Sequence, residues 1–188
     1  MSADKLIVGL AGMPGSGKSI FVDVSQKRGF GIIIMGDIIR EETKKRGLRL
    51  NPKNVGEVML DLRLKGGNNI IAEKCIPKIK ELPFKKIIID GLRSLNELNY
   101  FKKNFSNFNL IAMHSSPETR YKRLNQRGRS DDPKDPKIFQ ERDIRELNIG
   151  LGHVIALAEH IVINDQNIEE TKNKCNKILQ RIEKKWTL

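Results

Sequence analysis

The chain has 188 residues, of which 35 are lysine or arginine and 23 are aspartate or glutamate, so its formal net charge is +12. This length fits one domain with a sizeable core, and no apolar run approaches the ~20 residues of a transmembrane helix. Residues 1–5 lack the apolar stretch of a signal peptide, so we expect a cytoplasmic protein. The two cysteines, Cys75 and Cys175, are too few and too far apart for a disulfide scaffold or a C-x-x-C metal knuckle, and we expect both to be buried.

Short runs rich in β-branched residues alternate with longer amphipathic segments along the chain. The short runs predict strands at 6–10, 31–35, 86–90, 109–114 and 160–164. The amphipathic segments predict helices at 18–26, 37–45, 52–65, 68–80, 94–103, 117–126, 136–158 with an interruption at 150–152, and 167–184. Because the strands are almost continuously apolar, they predict a parallel sheet with helices on both faces. We therefore predict a three-layer α/β fold forming a single domain, residues 1–188.

A phosphate loop follows the first predicted strand directly. Its residues are Gly12-Met13-Pro14-Gly15-Ser16-Gly17-Lys18-Ser19, a complete G-x-x-x-x-G-K-[ST] motif. Glycines let the backbone N–H groups converge on phosphate oxygens, and Lys18 adds a positive charge for the β and γ phosphates. Ser19 opens the next helix, where its hydroxyl can ligate Mg²⁺. The motif predicts binding of ATP with Mg²⁺ through these eight residues.

About fifty residues separate the second and third predicted strands, whereas a simple crossover needs roughly a dozen. We expect two or three helices in this insertion, at about 37–83, and a pocket for a second substrate. At its start, Asp37 and Arg40 lie three residues apart on one helical face.

The third predicted strand ends in the acidic residue Asp90, followed by Gly91 and Arg93. An acid at this place can hold Mg²⁺ beside a phosphate loop, although it can also simply cap the turn at Gly91. Arg40 and Arg93 follow neighbouring strands and could grip one phosphate between them. Structural salt bridges are the alternative for both arginines.

A segment rich in arginine follows the fourth strand. Arg123 and Arg127 stand four residues apart and therefore face the same side of a helix end, and Gly128 and Pro133 predict a loop after it. Phosphoryl transfer requires positive charge around the transferring group, which such a cluster supplies. An exposed basic helix end is the alternative interpretation.

These residues together resemble the adenylate kinases and other nucleoside monophosphate kinases, and in particular the archaeal adenylate-kinase-related proteins. Gly36, Asp37 and Arg40 match the Gly-Asp-x-x-Arg motif of that family, and Asp90 with Arg93 resembles its Asp-Gly-x-Pro-Arg motif. The resemblance implies a P-loop NTPase fold with strand order 2-3-1-4-5. It also implies that Arg40 and Arg93 bind the acceptor monophosphate.

The resemblance implies further roles in the second half of the chain. Arg123 would stack on the base of ATP, Arg127 would touch its phosphates, and Arg129 would lie on a short lid at about 128–136. Arg142, and less securely Arg145, would contribute from the helix behind the lid. The core would comprise residues 1–36, 84–127 and 137–188. Arg123, Arg127 and Arg129 would then neutralise the charge of the transition state, and Lys18, also predicted to be catalytic, would hold the triphosphate.

Two departures from the adenylate kinase pattern leave the acceptor open. Arg93 follows Asp90 by three residues instead of four, and Glu97 stands where a glutamine would read adenine. A carboxylate cannot donate a hydrogen bond to adenine N1 unless it is protonated. Residues 158–165 also resemble dephospho-coenzyme A kinase, in which Asp37 would be the catalytic base for a ribose hydroxyl.

The sequence thus predicts Mg-ATP-dependent phosphoryl transfer to a nucleotide, with a nucleoside monophosphate as the first choice of acceptor. Arg40, Arg93, Asp37, Glu97 and Arg142 are its predicted acceptor-binding residues, and Ser19 and Asp90 its predicted metal ligands. Dephospho-coenzyme A is the alternative acceptor. An ATPase switch that acts on RNA or on ribosome assembly is an alternative of another class, suggested by the net charge of +12.

Overall fold

The computed structural model describes residues 5–165 and 167–187, and a five-stranded parallel sheet lies at its centre. The strands are β1 (Leu6–Ala11), β2 (Gly31–Ile34), β3 (Lys86–Leu92), β4 (Phe108–His114) and β5 (His160–Ile163). They pair in the order β2-β3-β1-β4-β5, so the predicted strand order is confirmed. Residues 1–4, most of the segment behind the expectation about a signal peptide, lie outside the described residues.

Between and after the strands of the described residues, the helices occur singly or in sets of three. Their bounds are α1 (Lys18–Lys27), α2 (Met35–Lys45), α3 (Pro52–Gly66), α4 (Ile70–Glu81), α5 (Leu95–Asn104), α6 (Pro117–Arg127), α7 (Pro136–Ile149), α8 (Leu151–Ala156) and α9 (Ile168–Trp186). The single helices are α1, α5 and, after β5, α9, and the sets are α2 to α4 and α6 to α8. Three of these helices begin with proline, which suits the first turn because its missing N–H would be unpaired there. Within the part of the chain that the structure describes, no helix is both long and apolar enough to span a bilayer.

All element boundaries lie within two residues of the predicted ones, and two of the differences concern residues near the site. The second strand ends at Ile34 and α2 begins at Met35, two residues before the predicted start, because the buried Met35 fits a strand and a helix equally well by its apolar character. β3 continues past Asp90 to Leu92 through a bulge, since Leu10 pairs with Asp90 but Ala11 pairs with Leu92. The predicted interruption of the long C-terminal helical segment is found at Gly150, whose φ of 110° separates α7 from α8.

Apolar side chains pack against both faces of the sheet, as the continuous apolar strands predicted. One layer, which contains Cys75, joins the sheet to α2, α3, α4, α5 and α8. The other layer, which contains Cys175 and has Trp186 at its edge, joins the sheet to α1 and α9. Burial raises the pKa of Cys75 to about 12 and that of Cys175 to about 11, which keeps both thiols protonated. Both cysteines are free and buried.

Candidate active site

Close packing around the loop between β1 and α1 requires two of its glycines. Gly15 has a φ of 82°, and a Cβ there would lie 2.6 Å from the backbone oxygen of Arg120 on α6. Gly17 has a φ of 90°, and a Cβ there would lie 2.0 Å from Nδ2 of Asn164. Both residues combine a left-handed backbone with no room for a side chain. The loop is therefore held from outside as well as by its own sequence.

The residues that hold the loop come from the ends of β4 and β5. Asn164 is buried, and its Nδ2 donates a 3.0 Å hydrogen bond to the backbone oxygen of Ser16. The backbone oxygen of Asn164 accepts hydrogen bonds of 2.8 Å from Ser115 Oγ and from Arg123 Nη2. These contacts fix Arg123 against the back of the phosphate loop. Its predicted stacking on a base stays a prediction.

Lys18 points along the phosphate loop. Its Nζ donates a 2.8 Å hydrogen bond to the backbone oxygen of Gly12. Burial lowers the pKa of Lys18, and the nearby negative charge of Asp90 opposes that effect. The ammonium group is thus positioned where phosphate oxygens would approach the loop.

Asp90 lies at the bulge of β3, where a strand irregularity can redirect a side chain. Its Oδ1 is buried and finds no hydrogen-bond partner among the described residues. Burial raises the pKa of Asp90, while the positive charges of Lys18 and Arg93 partly counteract the effect. An unpaired carboxylate oxygen beside a phosphate loop fits a Mg²⁺ ion bound mainly through phosphate oxygens and water. Ser19, the other predicted ligand, is exposed at the start of α1.

A cleft opens between the phosphate loop, β3, the lid and α7. It brings together most of the residues that the sequence singled out, namely Gly12, Pro14, Gly15, Lys18, Arg40, Asp90, Arg93, Arg127, Arg129 and Arg142. Residues from six parts of the chain therefore meet at one edge of the sheet. We call this space the donor cleft.

A second, narrow cleft adjoins the donor cleft and lies between α2, α3 and α7. Its α3 wall is formed mainly by apolar side chains and Gly56, and we call it the acceptor cleft. A Cβ on Gly56 would lie 3.0 Å from Cζ of Arg145, so glycine lets this guanidinium lie directly against the helix. Arg40, Arg93 and Arg142 line both clefts. The acceptor cleft thus combines an apolar wall with cations at its inner end.

Each arginine at the junction of the clefts already contacts a carboxylate or a carbonyl oxygen. Arg40 Nη2 lies 2.5 Å from Asp37 Oδ1, and Arg93 Nη1 donates a 2.7 Å hydrogen bond to Glu146 Oε1. Arg127, at the end of α6, pairs with both carboxylate oxygens of the lid residue Asp132. Arg142 of α7 donates a 3.2 Å hydrogen bond to the backbone oxygen of the lid residue Asp131. A phosphate that binds here must compete with these protein anions.

The structure places two predicted acceptor residues outside the walls of both clefts. Asp37 has a side chain that is 48% exposed, and it contacts Arg40 one helical turn away. Glu97 is fully buried, and its carboxylate accepts hydrogen bonds of 2.5 Å from Arg63 Nη2 and 2.8 Å from the backbone N–H of Arg93. Each acid thus contacts an arginine that lines both clefts, Asp37 through the side chain of Arg40 and Glu97 through the backbone of Arg93. Direct contact of either acid with an acceptor stays a prediction.

Three residues that line the clefts or pair with a residue beside them were not predicted from the sequence. Glu146 and Asp131 are buried acids that line both clefts. Arg63 pairs with Glu97 across 34 residues of sequence. The spacing of Glu146 four residues after Arg142 was a usable signal, because it places both on one face of α7. Arg63 had no comparable signal, since an arginine on an amphipathic helix is ordinarily exposed.

Comparison with known proteins identifies the family and the fold of the chain. A model of the AAA domain matches residues 11–138. The UPF0200 protein MJ1399 of Methanocaldococcus jannaschii is 48% identical over 179 residues, covering 94% of this chain and 90% of that protein. The chain belongs to the UPF0200 family and carries an AAA domain.

Solved structures with the same fold share little sequence with this UPF0200 chain. Shikimate kinase from Bacteroides thetaiotaomicron matches with a TM-score of 0.64 at 14% identity, covering 93% of this chain and 98% of that one. A gluconokinase from Sinorhizobium meliloti matches with a TM-score of 0.58 at 14% identity, covering 97% and 95%. The predicted P-loop fold is thereby confirmed. Specificity of the adenylate kinase type stays a prediction.

Proposed function

We propose that the protein is a phosphotransferase that uses Mg-ATP and transfers the γ-phosphoryl group to a small anionic acceptor. The observation that carries the proposal is the junction of the two clefts. There, Lys18 and Asp90 of the donor cleft lie beside Arg40, Arg93 and Arg142, which the acceptor cleft shares. A simple ATPase has no need of a second, partly apolar cleft that meets the phosphate site.

Each residue then has a definite task in the transfer. Lys18 and the backbone N–H groups of the phosphate loop bind the triphosphate. Asp90 and Ser19 would hold Mg²⁺, which supplies charge neutralisation at the transferring group. Arg40 and Arg93 bind the anionic part of the acceptor through charge-assisted hydrogen bonds.

Arg127 and Arg129, at the start of the lid, supply further positive charge around the transferring group. Arg127 and Arg129 line the donor cleft from opposite sides of Gly128, the residue that ends α6 in a left-handed conformation. Movement of this loop would bring both guanidinium groups onto the phosphates and exclude water, which protects ATP from hydrolysis.

Two groups of acceptors meet the requirement of an anionic group. Nucleoside monophosphates follow from the resemblance to adenylate kinases. Acceptors that carry a hydroxyl as well as an anion include dephospho-coenzyme A and, by analogy with the two kinases of the same fold, shikimate and gluconate. RNA as a partner rests on the net charge alone.

The test is a coupled assay of the purified protein with Mg-ATP against AMP, GMP, CMP, UMP, dephospho-coenzyme A, shikimate and gluconate. Both ADP and the phosphorylated acceptor are quantified, so transfer is separated from hydrolysis. We expect a phosphorylated product from at least one acceptor. ADP without such a product from any of them would contradict the proposal and favour an ATPase switch, which salt-sensitive RNA binding that depends on nucleotide would then support.

A further inference from the structure

Glu146 on α7 lies where the donor and acceptor clefts meet, and it lines both. Its side chain is only 3% exposed. Oε1 accepts the hydrogen bond of Arg93, whereas Oε2 is buried and has no hydrogen-bond partner within residues 5–165 and 167–187. Because it is unfavourable to bury a carboxylate oxygen without a donor, such an atom in a binding site points to a donor that a ligand supplies.

The other carboxylates of the site are less suited to receive that donor. Asp90 lies at the sheet edge beside Lys18, where Mg²⁺ would bind. Asp131 is on the lid, and its Oδ2 faces Arg40 Nη1 at 3.7 Å. Asp37 is half exposed and lies outside the walls of both clefts. Glu146 is therefore the carboxylate that is buried, is held on a helix and has an oxygen without a hydrogen-bond partner at the junction.

The charged groups around Glu146 come from every side of the junction. They are Lys18 of the phosphate loop, Arg40 of α2, Asp90 and Arg93 at the end of β3, Arg127 at the end of α6, Arg129 and Asp131 of the lid, and Arg142 and Arg145 of α7. The cations outnumber the acids, so the junction attracts an anionic acceptor even though Glu146 lies in it.

The chemistry of the nucleophile decides what a carboxylate at this junction can do. A phosphate acceptor attacks with an oxygen that is already negative, so a neighbouring carboxylate repels it and has no proton to accept. A hydroxyl acceptor is neutral and must lose its proton as the new bond forms. A carboxylate with an available oxygen therefore favours a hydroxyl acceptor over a phosphate acceptor.

We propose that Glu146 is the base for a hydroxyl acceptor, which also carries an anionic group bound by Arg40 and Arg93. This inference rests on the proposed phosphotransferase activity and narrows its acceptor class. The acceptor oxygen forms a bond to the γ-phosphorus, and the bond between that phosphorus and the β,γ-bridging oxygen breaks, its electron pair leaving with ADP. The hydroxyl proton passes to Glu146 Oε2 and from there to water, so the products are a phosphate monoester, ADP and one proton.

The first experiment identifies the type of bond formed. Wild-type protein is incubated with Mg-ATP and each of the seven acceptors above, and ³¹P NMR distinguishes a new phosphate monoester from a new diphosphate. A monoester on dephospho-coenzyme A, shikimate or gluconate is the expected result, and the acceptor that reacts shows whether the bound anion is a phosphate or a carboxylate. A diphosphate formed from a nucleoside monophosphate would overturn the inference while leaving the proposed function intact. Transfer to none of the seven would instead contradict the proposed function itself.

The second experiment tests Glu146 with the hydroxyl acceptor so identified. Glu146→Gln keeps the shape of the side chain but cannot accept a proton, so kcat should fall ~10²–10⁴-fold. The decline of kcat toward acidic pH, which reports protonation of the base, should disappear in this variant. Glu146→Asp should restore that decline, because it returns a carboxylate.

Glu97→Gln is the matched control. Glu97 is also a buried carboxylate that pairs with an arginine, but it lies outside the walls of both clefts. Its variant should keep the acidic decline of kcat, whatever the change in the Michaelis constant of the acceptor. If Glu146→Gln and wild type share the same pH profile while their folding is equal by circular dichroism, Glu146 is not the base.

Discussion

The donor and acceptor clefts are built in different ways, although they share one wall. The donor cleft depends on a short continuous motif, whose glycines and Lys18 are adjacent in sequence. The acceptor side depends on ion pairs between distant residues, such as Arg93 with Glu146 and Arg63 with Glu97. The difference teaches that the proposed triphosphate site depends on local backbone geometry, whereas the proposed acceptor site depends on tertiary contacts.

The largest loss of turnover is expected for Lys18→Ala, which removes the ammonium group from the donor cleft. The lost ammonium contact strengthens as charge develops on the transferring group, so we expect kcat to fall by ~10³-fold or more with the fold intact. The measurement is turnover with the best acceptor, with circular dichroism to monitor folding. Lys27→Ala, at the exposed end of the same helix, is the matched control and should retain wild-type turnover. Wild-type turnover in Lys18→Ala would refute the assignment of the donor cleft.

Asp90→Asn should affect activity and stability in opposite directions. Loss of the charge should weaken Mg²⁺ use and lower kcat by ~10²-fold, as for a lost metal ligand or its support. Since burial raises the pKa of Asp90, the native state disfavours its charge, so the neutral amide should raise the melting temperature at pH 7. Titration of activity with Mg²⁺ and thermal unfolding without nucleotide measure the two effects. A lower melting temperature would show that the positive neighbours of Asp90 outweigh its burial.

Arg93→Ala should weaken binding of the acceptor without weakening binding of ATP, and so distinguish the roles of the two clefts. Arg93 lines both clefts, yet its hydrogen bonds run to Glu146 and Met59 on the acceptor side. We expect the Michaelis constant of the acceptor to rise ~10-fold or more, while the dissociation constant of ATP, measured by calorimetry, changes little. The opposite result, weaker ATP binding with unchanged acceptor kinetics, would reverse the division of the clefts.

The smallest expected effect is on stability, through the pH dependence of the ion pairs that hold the lid. Burial alone would raise the pKa of Asp132, but its hydrogen bonds from Arg127 and from the backbone of Arg129, with their positive neighbours, hold it below the usual range. Its ion pairs therefore stabilise the fold above a pH of about 4 and lose that effect as the pH falls through the lowered pKa.

Asp132→Asn tests this pH dependence. Because Arg127 is partly exposed, we expect the variant to lose only about 1 kcal/mol in the free energy of unfolding at pH 7. The difference from wild type, measured by urea unfolding, should shrink as the pH is lowered below 4. A difference that does not change with pH would assign the stability of the lid to packing.

The comparison also explains how far the sequence could predict the structure. The strand order followed from a family resemblance, and Lys18 with Asp90 could be placed because motif and strand end are local signals. Glu97 was assigned to the acceptor from a linear motif, but its burial and its pairing with Arg63 depend on how α3 and α5 pack. Glu146 was missed for the same reason, since its partner Arg93 lies 53 residues earlier. The pairing of Asp37 with Arg40 was a local alternative from the start, because both residues lie on one face of α2.

Because one buried cysteine lies on each face of the sheet, the opening of the two layers can be measured separately. Cys75 lies in the layer that joins the sheet to α2, α3, α4, α5 and α8, and Cys175 lies in the layer that joins it to α1 and α9. The raised pKa of each thiol removes the reactive thiolate from the native state. A thiol reagent can therefore label either residue only when its own layer opens. Labelling rates with and without nucleotide or acceptor, read by mass spectrometry for each cysteine, would show whether a ligand stabilises one half of the molecule or both.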